Sequence, residues 1–379
     1  MVQFIQTSPQ NFKKIMNSLS WVEIKTENIK HNIQQVRKIL PAGFKVAGVV
    51  KSNAYGHGLL GVANYLYKNK LVDYLAVVND EEALFLRKQG IKLPIFVLSY
   101  WDIGNLTELV KNNIEFGIYN GEHLVALKGL KSLHKARVHL KIDTGMTRLG
   151  LRSGEVTAYL AKLMAINNVE VRGVFSHLAV ADEKNNFTKK QIATFCKITG
   201  KIQEKVKVPL VHIANSAGAI FMKDGLCNMM RLGLALYGLA PVSNYPTLKP
   251  VLTWKTKIIQ VKKVETGESI SYGLTYKFTK PTTVAILPIG YADGYDRGLS
   301  SCGEVLIKGQ ICPVRGRVCM NLIMVELREN TKAKVGDEVV LIGKQGKNEI
   351  TADSIAKKIG TINYEIVTRI NPEIKRIFI

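Results

Sequence analysis

Short apolar runs alternate with longer amphipathic stretches through the first two-thirds of the chain. Such runs are typical of strands that are buried on both faces, as in parallel sheets. They predict strands at residues 44–50, 74–78, 95–98, 114–119, 136–142, 169–175, 210–214 and 229–237. The chain is therefore expected to build a parallel sheet from repeated strand and helix pairs.

The stretches between these runs have the spacing of helices with one buried face. Asp80 is placed to cap a helix over residues 81–88, and another helix is predicted over residues 188–205. On a predicted helix over residues 155–166, four apolar side chains share one face: Val156, Leu160, Leu163 and Met164. These alternations predict a (β/α)8 barrel, with a doubly wound parallel sheet as the alternative. No Gly-x-Gly-x-x-Gly motif follows the first strand, which argues against dinucleotide binding.

Beyond residue 250 the apolar runs become shorter and are separated by glycine turns. This pattern predicts a second, mostly β domain, with one helix over residues 352–359 that Thr351 caps. Its strands are predicted at residues 256–264, 283–287, 304–307, 322–326, 338–342, 366–370 and 375–379. We expect three segments: an N-terminal extension over 1–20, the barrel over 21–250 and the β-rich domain over 251–379. Residues 21–24 are a candidate strand of the β-rich domain.

Composition narrows the classes of function. The 379 residues suit about two domains, and no apolar stretch of about 18 residues predicts a membrane span. The first 20 residues lack the apolar core of a signal peptide. The net charge of +23 comes from lysines spread along the chain, so we expect a solvated surface and no nucleic-acid partner. The five cysteines lack metal-type pairing, which indicates reduced thiols in a cytoplasmic protein without a metal site.

Polar side chains follow several predicted strands at the point where each strand ends. Lys51 follows the first strand, Arg148 the fifth and His177 the sixth, while Asn215 and Ser216 follow the seventh. Each residue alone has an ordinary explanation, as a surface cation, a core histidine or a helix cap. Together they indicate chemistry, because the active sites of (β/α)8 barrels lie at the carboxyl ends of the strands.

Lys51 is the most informative of these residues. Residues 51–58 read Lys-Ser-Asn-Ala-Tyr-Gly-His-Gly after an apolar run. A lysine in this position can lose its charge by burial and form a Schiff base with an aldehyde such as pyridoxal 5′-phosphate (PLP). Residues 212–218 read His-Ile-Ala-Asn-Ser-Ala-Gly, a small polar loop before a helix that suits a phosphate, and Arg231 and Gly233 follow.

An ordered set of such motifs resembles the alanine racemase family from residue 21 to the end of the chain. The matching segments are residues 50–58, 141–150, 212–218, 271–273, 290–294, 316–320 and 361–365. The resemblance implies a barrel followed by a β-rich domain, and PLP as the cofactor. Each segment alone is a weak signal, whereas their order along the chain makes the signal specific.

The resemblance also implies how the cofactor is held. Lys51 carries PLP covalently as a Schiff base, and Arg231 faces the pyridine nitrogen. Arg148 bonds the phenolic oxygen of the cofactor and lies near the substrate, while His177 forms a relay with Arg231 beside the cofactor. The phosphate is held by Tyr55, Ser216, Gly233, Leu234 and Tyr364.

The activity implied is racemisation of alanine by two bases, one on each face of the substrate Cα. Lys51 takes the D-alanine proton and Tyr272 the L-alanine proton. In this family the second base comes from the other subunit, so a head-to-tail homodimer is implied. Met320 offers its backbone N–H to the substrate carboxylate, near Tyr291. The implied product is D-alanine for bacterial peptidoglycan.

Two further residues belong to the expected site. Asn215 is expected to support it, and a lysine at the position of Lys141 is carbamylated in some members of the family. An unmodified Lys141 would repel Arg148, which favours the modification here. The chain also departs from the family pattern at two positions. Leu232 stands where proline is common, and Asn321 stands where aspartate is usual.

Other functions stay open at this point. A racemase of broader specificity, acting on serine for example, would share these motifs. A PLP-dependent decarboxylase of similar architecture would share the lysine of the first strand but not the Tyr272 motif or the full segment of residues 51–58. A PLP-binding regulatory protein is usually a single barrel, which the predicted second domain disfavours.

Overall fold

The computed structural model describes residues 19–222, 225 and 227–379, so the expected extension lies almost wholly outside the described residues. The chain divides into two compact units. One comprises residues 27–54 and 59–249, and the other comprises the segment up to Thr26, residues 55–58 and residues 250–379. Short segments at residues 21–26 and 55–58 therefore belong with the later part of the chain.

The first unit is a barrel of parallel strands. After strand β1 (Ser20–Ile24), which belongs to the second unit, its strands follow in chain order: β2 (Lys45–Val49), β3 (Tyr74–Val77), β4 (Ile95–Val97), β5 (Glu115–Ile118), β6 (Ala136–Lys141), β7 (Val169–Phe175), β8 (Leu210–His212) and β9 (Met229–Leu232). Most of their residues are buried. Strands covered on both faces read as continuous apolar runs, which is why the sequence predicted them.

Neighbouring strands of the barrel are consecutive in the chain, except that β9 pairs with β2. The two ends of the sheet are also joined, since Asn228 N–H donates to Val211 O and Arg231 N–H to Ala214 O, both at 3.0 Å. This closure confirms the (β/α)8 barrel and excludes the doubly wound sheet. The eighth strand is shorter than predicted. Leu234–Tyr237 is a 3-10 helix, and periodicity could not separate this short apolar turn from the strand before it.

Helices follow the strands around the barrel. The helices among the described residues of this part of the chain are Thr26–Arg37, Leu59–Lys68, Asp80–Lys88, Leu106–Lys111, Gly121–Gly129, Val156–Met164 and Phe187–Gln203. The prediction that Asp80 caps its helix is wrong, because Asn79 Oδ1 accepts from Glu82 N–H at 3.1 Å. Met164 is exposed, whereas Tyr159 joins the buried face. No helix of the described residues is long and apolar enough to cross a membrane.

The second unit is mostly β, as the sequence predicted. Its strands after β1 are β10 (Leu252–Lys257), β11 (Gln260–Val264), β12 (Ser269–Ile270), β13 (Tyr276–Lys277), β14 (Thr282–Leu287), β15 (Glu304–Ile307), β16 (Gln310–Pro313), β17 (Ile323–Glu326), β18 (Glu338–Gln345), β19 (Asn348–Ile350) and β20 (Lys375–Phe378). The largest sheet has the order β16-β15-β18-β10-β1-β20, with β19 on β18, and a smaller sheet has the order β11-β14-β17. Strand β1 pairs antiparallel with β10 and parallel with β20.

Two helices complete this unit, and one corrects a prediction. Thr351 caps the helix Ala352–Ile359, as predicted, by accepting from Ser354 N–H at 3.0 Å. The strand predicted at residues 366–370 is wrong, because Asn363–Thr368 is a helix that buries Ile366 and Val367. A short apolar run gives no period by which a strand and a helix can be told apart.

Candidate active site

Lys51 follows β2 at the carboxyl end of the barrel. Burial lowers its pKa below the ordinary value, the charges of Arg148 and Arg231 lower it further, and Glu82 opposes them. A less basic lysine has more of its amine in the neutral, nucleophilic form. The surroundings of Lys51 therefore favour the chemistry that its sequence context predicted.

The backbone after Lys51 takes a rare left-handed turn. Residues 52–55 have φ angles of 54°, 54°, 53° and 52°, and none of them is glycine. Such a conformation costs roughly 1–2 kcal/mol per residue, so it needs support from its surroundings. The carboxylate of Glu82 gives that support, because it accepts from Ser52 N–H at 2.6 Å and from Val78 N–H at 2.9 Å.

A second lysine of the barrel, Lys141, is buried at the end of β6. Its Nζ donates to Leu98 O at 3.1 Å. Burial lowers the pKa of Lys141 to about 7, with Arg148 and Arg231 contributing through their charges. The neutral form of Lys141 is therefore accessible near physiological pH, which relieves the repulsion that the sequence suggested.

Arg148 lies in the loop after β6 and is exposed. The carboxylate of Asp143 shapes this loop by accepting from Gly145 N–H at 2.9 Å and from Thr147 N–H at 3.1 Å. Gly150 has a φ of 134°, and a Cβ there would lie 2.5 Å from Asp143 N. The loop places the guanidinium where its charge lowers the pKa of both lysines.

Arg231 on β9 is the most buried cation of the site, with 3% of its surface exposed. Its Nη1 donates to His212 Nδ1 at 2.8 Å and to His212 O at 3.2 Å. Its Nη2 donates to Ser176 O at 2.7 Å, to Ile213 O at 3.1 Å and to His177 Nδ1 at 3.2 Å. Burial lowers the pKa of Arg231 to about 10, so the guanidinium stays charged at neutral pH.

Ser216 packs against the turn after β9, where a hydroxyl and several backbone N–H groups come together. The buried Ser216 Oγ accepts from Gly233 N–H at 3.2 Å and from Ala235 N–H at 3.3 Å. Leu234 lies between those two amides, where the backbone turns into the short 3-10 helix. Asn215 Oδ1 accepts from Gly218 N–H at 2.8 Å and holds the preceding loop. A hydroxyl and backbone N–H groups at a turn are the donors that bind phosphate groups.

The second unit brings together two tyrosines that the resemblance assigned to the phosphate. The rings of Tyr55 and Tyr364 lie 6.2 Å apart. Burial, together with the neighbouring Tyr364, raises the pKa of Tyr55, so its hydroxyl keeps its proton and can donate. Gly56 allows this approach, because a Cβ there would overlap Val367 O.

Tyr272 lies in the second unit with 72% of its surface exposed. Ser271 has a φ of 70°, and its Oγ donates to Arg317 O at 2.7 Å. A Cβ at Gly273 would lie 3.2 Å from the Arg317 guanidinium. Two motifs distant in the sequence, residues 271–273 and 316–320, are therefore in contact.

Tyr291 and Met320 also lie together in this unit. Tyr291 N–H donates to Cys319 O at 3.1 Å, and Ala292 N–H donates to Met320 O at 3.0 Å. Gly290 is required at this contact, because a Cβ there would overlap the carbonyl oxygens of Cys319 and Met320. Both side chains are exposed, which suits residues expected to meet a substrate.

Sequence reasoning missed several polar residues that lie next to the predicted site residues. Glu82, Glu115 and His139 were not singled out, and His212 was given no role beyond its place in the 212–218 motif. Each is connected to a predicted site residue directly or through a neighbour. Their signal was present, because His139 stands between Val138 and Leu140, and His212 stands between Val211 and Ile213. A polar residue in a buried strand needs a hydrogen-bond partner, which marks it for attention.

Comparison with known proteins gives consistent matches for both units. Residues 24–241 match the family model of the alanine racemase N-terminal domain, and residues 251–378 match that of the C-terminal domain. An alanine racemase of Halothermothrix orenii is 40% identical over 365 residues, covering 94% of this chain and 96% of that protein. One from Symbiobacterium thermophilum is 40% identical over 366 residues, covering 95% and 97%.

Solved structures agree with the sequence matches. Alanine racemase from E. faecalis superposes with a TM-score of 0.90 at 34% identity, covering 95% of this chain and 98% of that one. Alanine racemase from Bacillus anthracis with bound L-Ala-P superposes with a TM-score of 0.89 at 35% identity, covering 95% of each chain.

Proposed function

This chain belongs to the alanine racemase family, and from that premise we propose that it interconverts L-alanine and D-alanine with PLP and two bases. The observation that carries the proposal is the environment of Lys51, where burial, Arg148 and Arg231 lower the pKa of an amine at the carboxyl end of the barrel. A surface lysine would stay charged and solvated. The curated relatives are alanine racemases, so the decarboxylase alternative is not retained.

The residues of the barrel fit PLP. In the barrel, Lys51 would bind its aldehyde, and Ser216 with the amides of the turn at Gly233 and Leu234 would hold its phosphate. The hydrogen bonds of Arg231 to other described residues use Nη1 and Nη2, which leaves its Nε–H for the pyridine nitrogen. Tyr55 and Tyr364 would add their hydroxyl groups to the phosphate.

When bound, PLP supplies an electron sink that makes the Cα proton of an amino acid acidic. Arg231 holds its own proton, because a guanidinium gives it up only at high pH. We infer that Arg231 donates a hydrogen bond to the pyridine nitrogen without protonating it. An unprotonated ring withdraws fewer electrons from Cα, which disfavours transamination. His177, which accepts from Arg231 Nη2, would form with it the relay that assists the second base, Tyr272.

Racemisation requires that a proton leaves one face of Cα and returns to the other. Lys51 would hold or release the proton on the D-alanine face, and Tyr272 on the L-alanine face. Arg148 would orient the substrate, with Met320 N–H on its carboxylate and Tyr291 nearby. Asn215 would keep the phosphate loop in place.

We further propose that the active protein is a homodimer in which each copy lends Tyr272 to the other. The exposure of Tyr272 in the single chain supports this assignment. The five cysteines are free, which supports a reducing compartment such as the cytoplasm. D-alanine made there would serve peptidoglycan synthesis.

The test is chiral chromatography of L-alanine after incubation with the purified protein and PLP. Progress to equal amounts of L- and D-alanine is expected, and Lys51→Ala should abolish both turnover and the PLP absorbance band. L-alanine that stays unchanged while PLP is bound would contradict the proposal. L-serine assayed in parallel distinguishes a racemase of broader specificity.

A further inference from the structure

A chain of buried polar side chains crosses the interior of the barrel behind Arg231. Glu115 Oε2 lies 2.7 Å from His139 Nε2, and His139 Nδ1 lies 3.0 Å from His212 Nε2. His212 Nδ1 then accepts from Arg231 Nη1 at 2.8 Å. The four residues come from β5, β6, β8 and β9, so closure of the barrel assembles the chain.

The barrel interior makes room for these four polar side chains in place of apolar packing. A Cβ at Gly173 on β7 would overlap His139 Nδ1, so glycine leaves the space for the imidazole ring. The ring of Phe96 lies 4.2 Å from that of His139, and Phe175 stacks on His212 at 5.2 Å. Barrel interiors are usually filled with branched apolar side chains. An enclosed polar chain is stable only if every hydrogen bond in it has a donor and an acceptor.

The Glu115 end of this hydrogen-bonded series fixes the direction of its first hydrogen bond. Burial by itself raises the pKa of Glu115, but the hydrogen bond from His139 and the nearby positive charges, those of Arg172 and Arg137 among them, bring the pKa below the ordinary value. An ionised carboxylate only accepts, so His139 must carry a proton on Nε2. The other ring nitrogen of His139, Nδ1, faces His212 Nε2, and the direction of that hydrogen bond follows from the Arg231 end.

The end at Arg231 fixes the direction of the other two hydrogen bonds. A guanidinium has only donors, so His212 Nδ1 must be free of a proton to accept from Nη1. The proton of the His212 ring is therefore on Nε2, which donates to His139 Nδ1. Burial and the charge of Arg231 lower the pKa of His212 well below its ordinary value, in agreement with a neutral ring. Moving the proton of His212 to Nδ1 would place two donors 2.8 Å apart.

We propose that Glu115, His139 and His212 are positioning residues for Arg231, which act by fixing both imidazole rings as neutral Nε2–H tautomers. His212 Nδ1 then holds Nη1 in one orientation, and the carbonyl groups of Ser176 and Ile213 hold Nη2. The described hydrogen bonds of Arg231 use only Nη1 and Nη2, so its Nε–H is the donor left for the cofactor. The role in catalysis rests on the proposed function, whereas the tautomers do not.

The first test is nitrogen NMR of the histidine rings in protein labelled with 15N-histidine. Both His139 and His212 are expected to show one protonated nitrogen, Nε2, and one bare nitrogen, Nδ1. A proton on Nδ1 of either ring would overturn the proposal. This result is independent of any activity, so it separates failure of the proposal from failure of the racemase assignment.

The second test uses variants of Glu115 in the PLP-loaded enzyme. Glu115→Gln keeps an oxygen that accepts from His139 and should retain most of kcat. Glu115→Leu removes the acceptor and should lower kcat roughly 10–100-fold. Loss of a hydrogen-bond partner behind a metal-bound histidine has an effect of this size. KM for alanine should change little, because Arg231 is assigned to the cofactor.

Glu170→Gln is the matched control. Glu170 also pairs with Arg172, at 3.1 Å, but has no contact with the two histidines among the described hydrogen bonds. It should leave kcat and the ring signals unchanged. Full activity of a folded Glu115→Leu variant, or equal loss in Glu170→Gln, would overturn the proposal.

Discussion

At the scale of single residues, the site depends on cations that are partly removed from water. Lys51 and Lys141 both have lowered pKa values because burial and the nearby arginines disfavour their charged forms. A sequence cannot assign such shifts, since they arise from neighbours that are distant in the chain. The sequence did identify Lys51, because a lysine after a buried strand already implies burial.

Lys141 offers a direct chemical test. Only a neutral amine adds CO2, and the pKa of Lys141 is about 7, so a carbamate is expected to form as the pH rises above 7. Carbon NMR of the protein in 13C-labelled bicarbonate should show a carbamate signal that grows above this pH. Lys141→Gln should lack the signal. Absence of the carbamate signal from the wild-type protein, or its persistence in Lys141→Gln, would count against carbamylation of this lysine.

Tyr272 is the second residue-scale prediction. Tyr272→Phe should keep the absorbance of bound PLP but lower L-to-D turnover by about 100-fold or more, because it removes the base on one face of Cα. The assay is chiral chromatography with single-turnover controls. Tyr276→Phe removes a hydroxyl from the same unit, where Tyr276 stacks against Arg315, and should have little effect. Normal turnover by Tyr272→Phe would exclude the two-base assignment.

At the scale of elements, the left-handed turn after Lys51 is the feature that sequence reasoning could not supply. Residues 52–55 include no glycine, the usual marker of positive φ. The turn is imposed by tertiary contacts, including those of Glu82. The long barrel strands were predictable, since their apolar runs are bounded by clear breaks. The short runs at residues 229–237 and 366–370 were not, because strand and helix patterns are indistinguishable over so few residues.

The strain of this turn predicts the effect of a glycine substitution. Ser52→Gly should stabilise the protein by up to about 1 kcal/mol, because relief of roughly 1–2 kcal/mol outweighs the extra entropy of the unfolded chain. Urea denaturation of the protein measures the change. The matched control, Ser153→Gly, alters an exposed turn residue without positive φ and should destabilise the protein slightly. Equal losses in both variants would show that residues 52–55 are not strained.

At the scale of the whole molecule, charge and composition set only broad limits. The net charge of +23 fits a lysine-rich surface but does not describe the fold or the chemistry. The assignment of residues 55–58 to the second unit follows from contacts such as the Arg376 Nε–H bond to Gly56 O at 3.0 Å. A linear division at residue 250 does not capture such contacts, because they join segments far apart in the chain.

Complementation between two inactive variants tests the shared dimer. In a mixture refolded from equal amounts of Lys51→Ala and Tyr272→Phe chains, half of the dimers are heterodimers. Each of these has one site with both bases, so about a quarter of wild-type activity should return if the sites are shared across a two-fold axis. Each variant alone should stay inactive. No recovery in a mixture shown by mass to contain heterodimers would place both bases in one chain.

The sequence by itself determined the eight strand and helix repeats, the β-rich second part and the family, because apolar periodicity and ordered motifs are local properties of the chain. Only the tertiary structure decided how the polar residues act on one another. Burial sets the pKa of Lys141, strand pairing assembles Glu115, His139, His212 and Arg231, and distant contacts impose the left-handed turn. Electrostatic and hydrogen-bond energies depend on distances in space, which separation along the sequence does not encode.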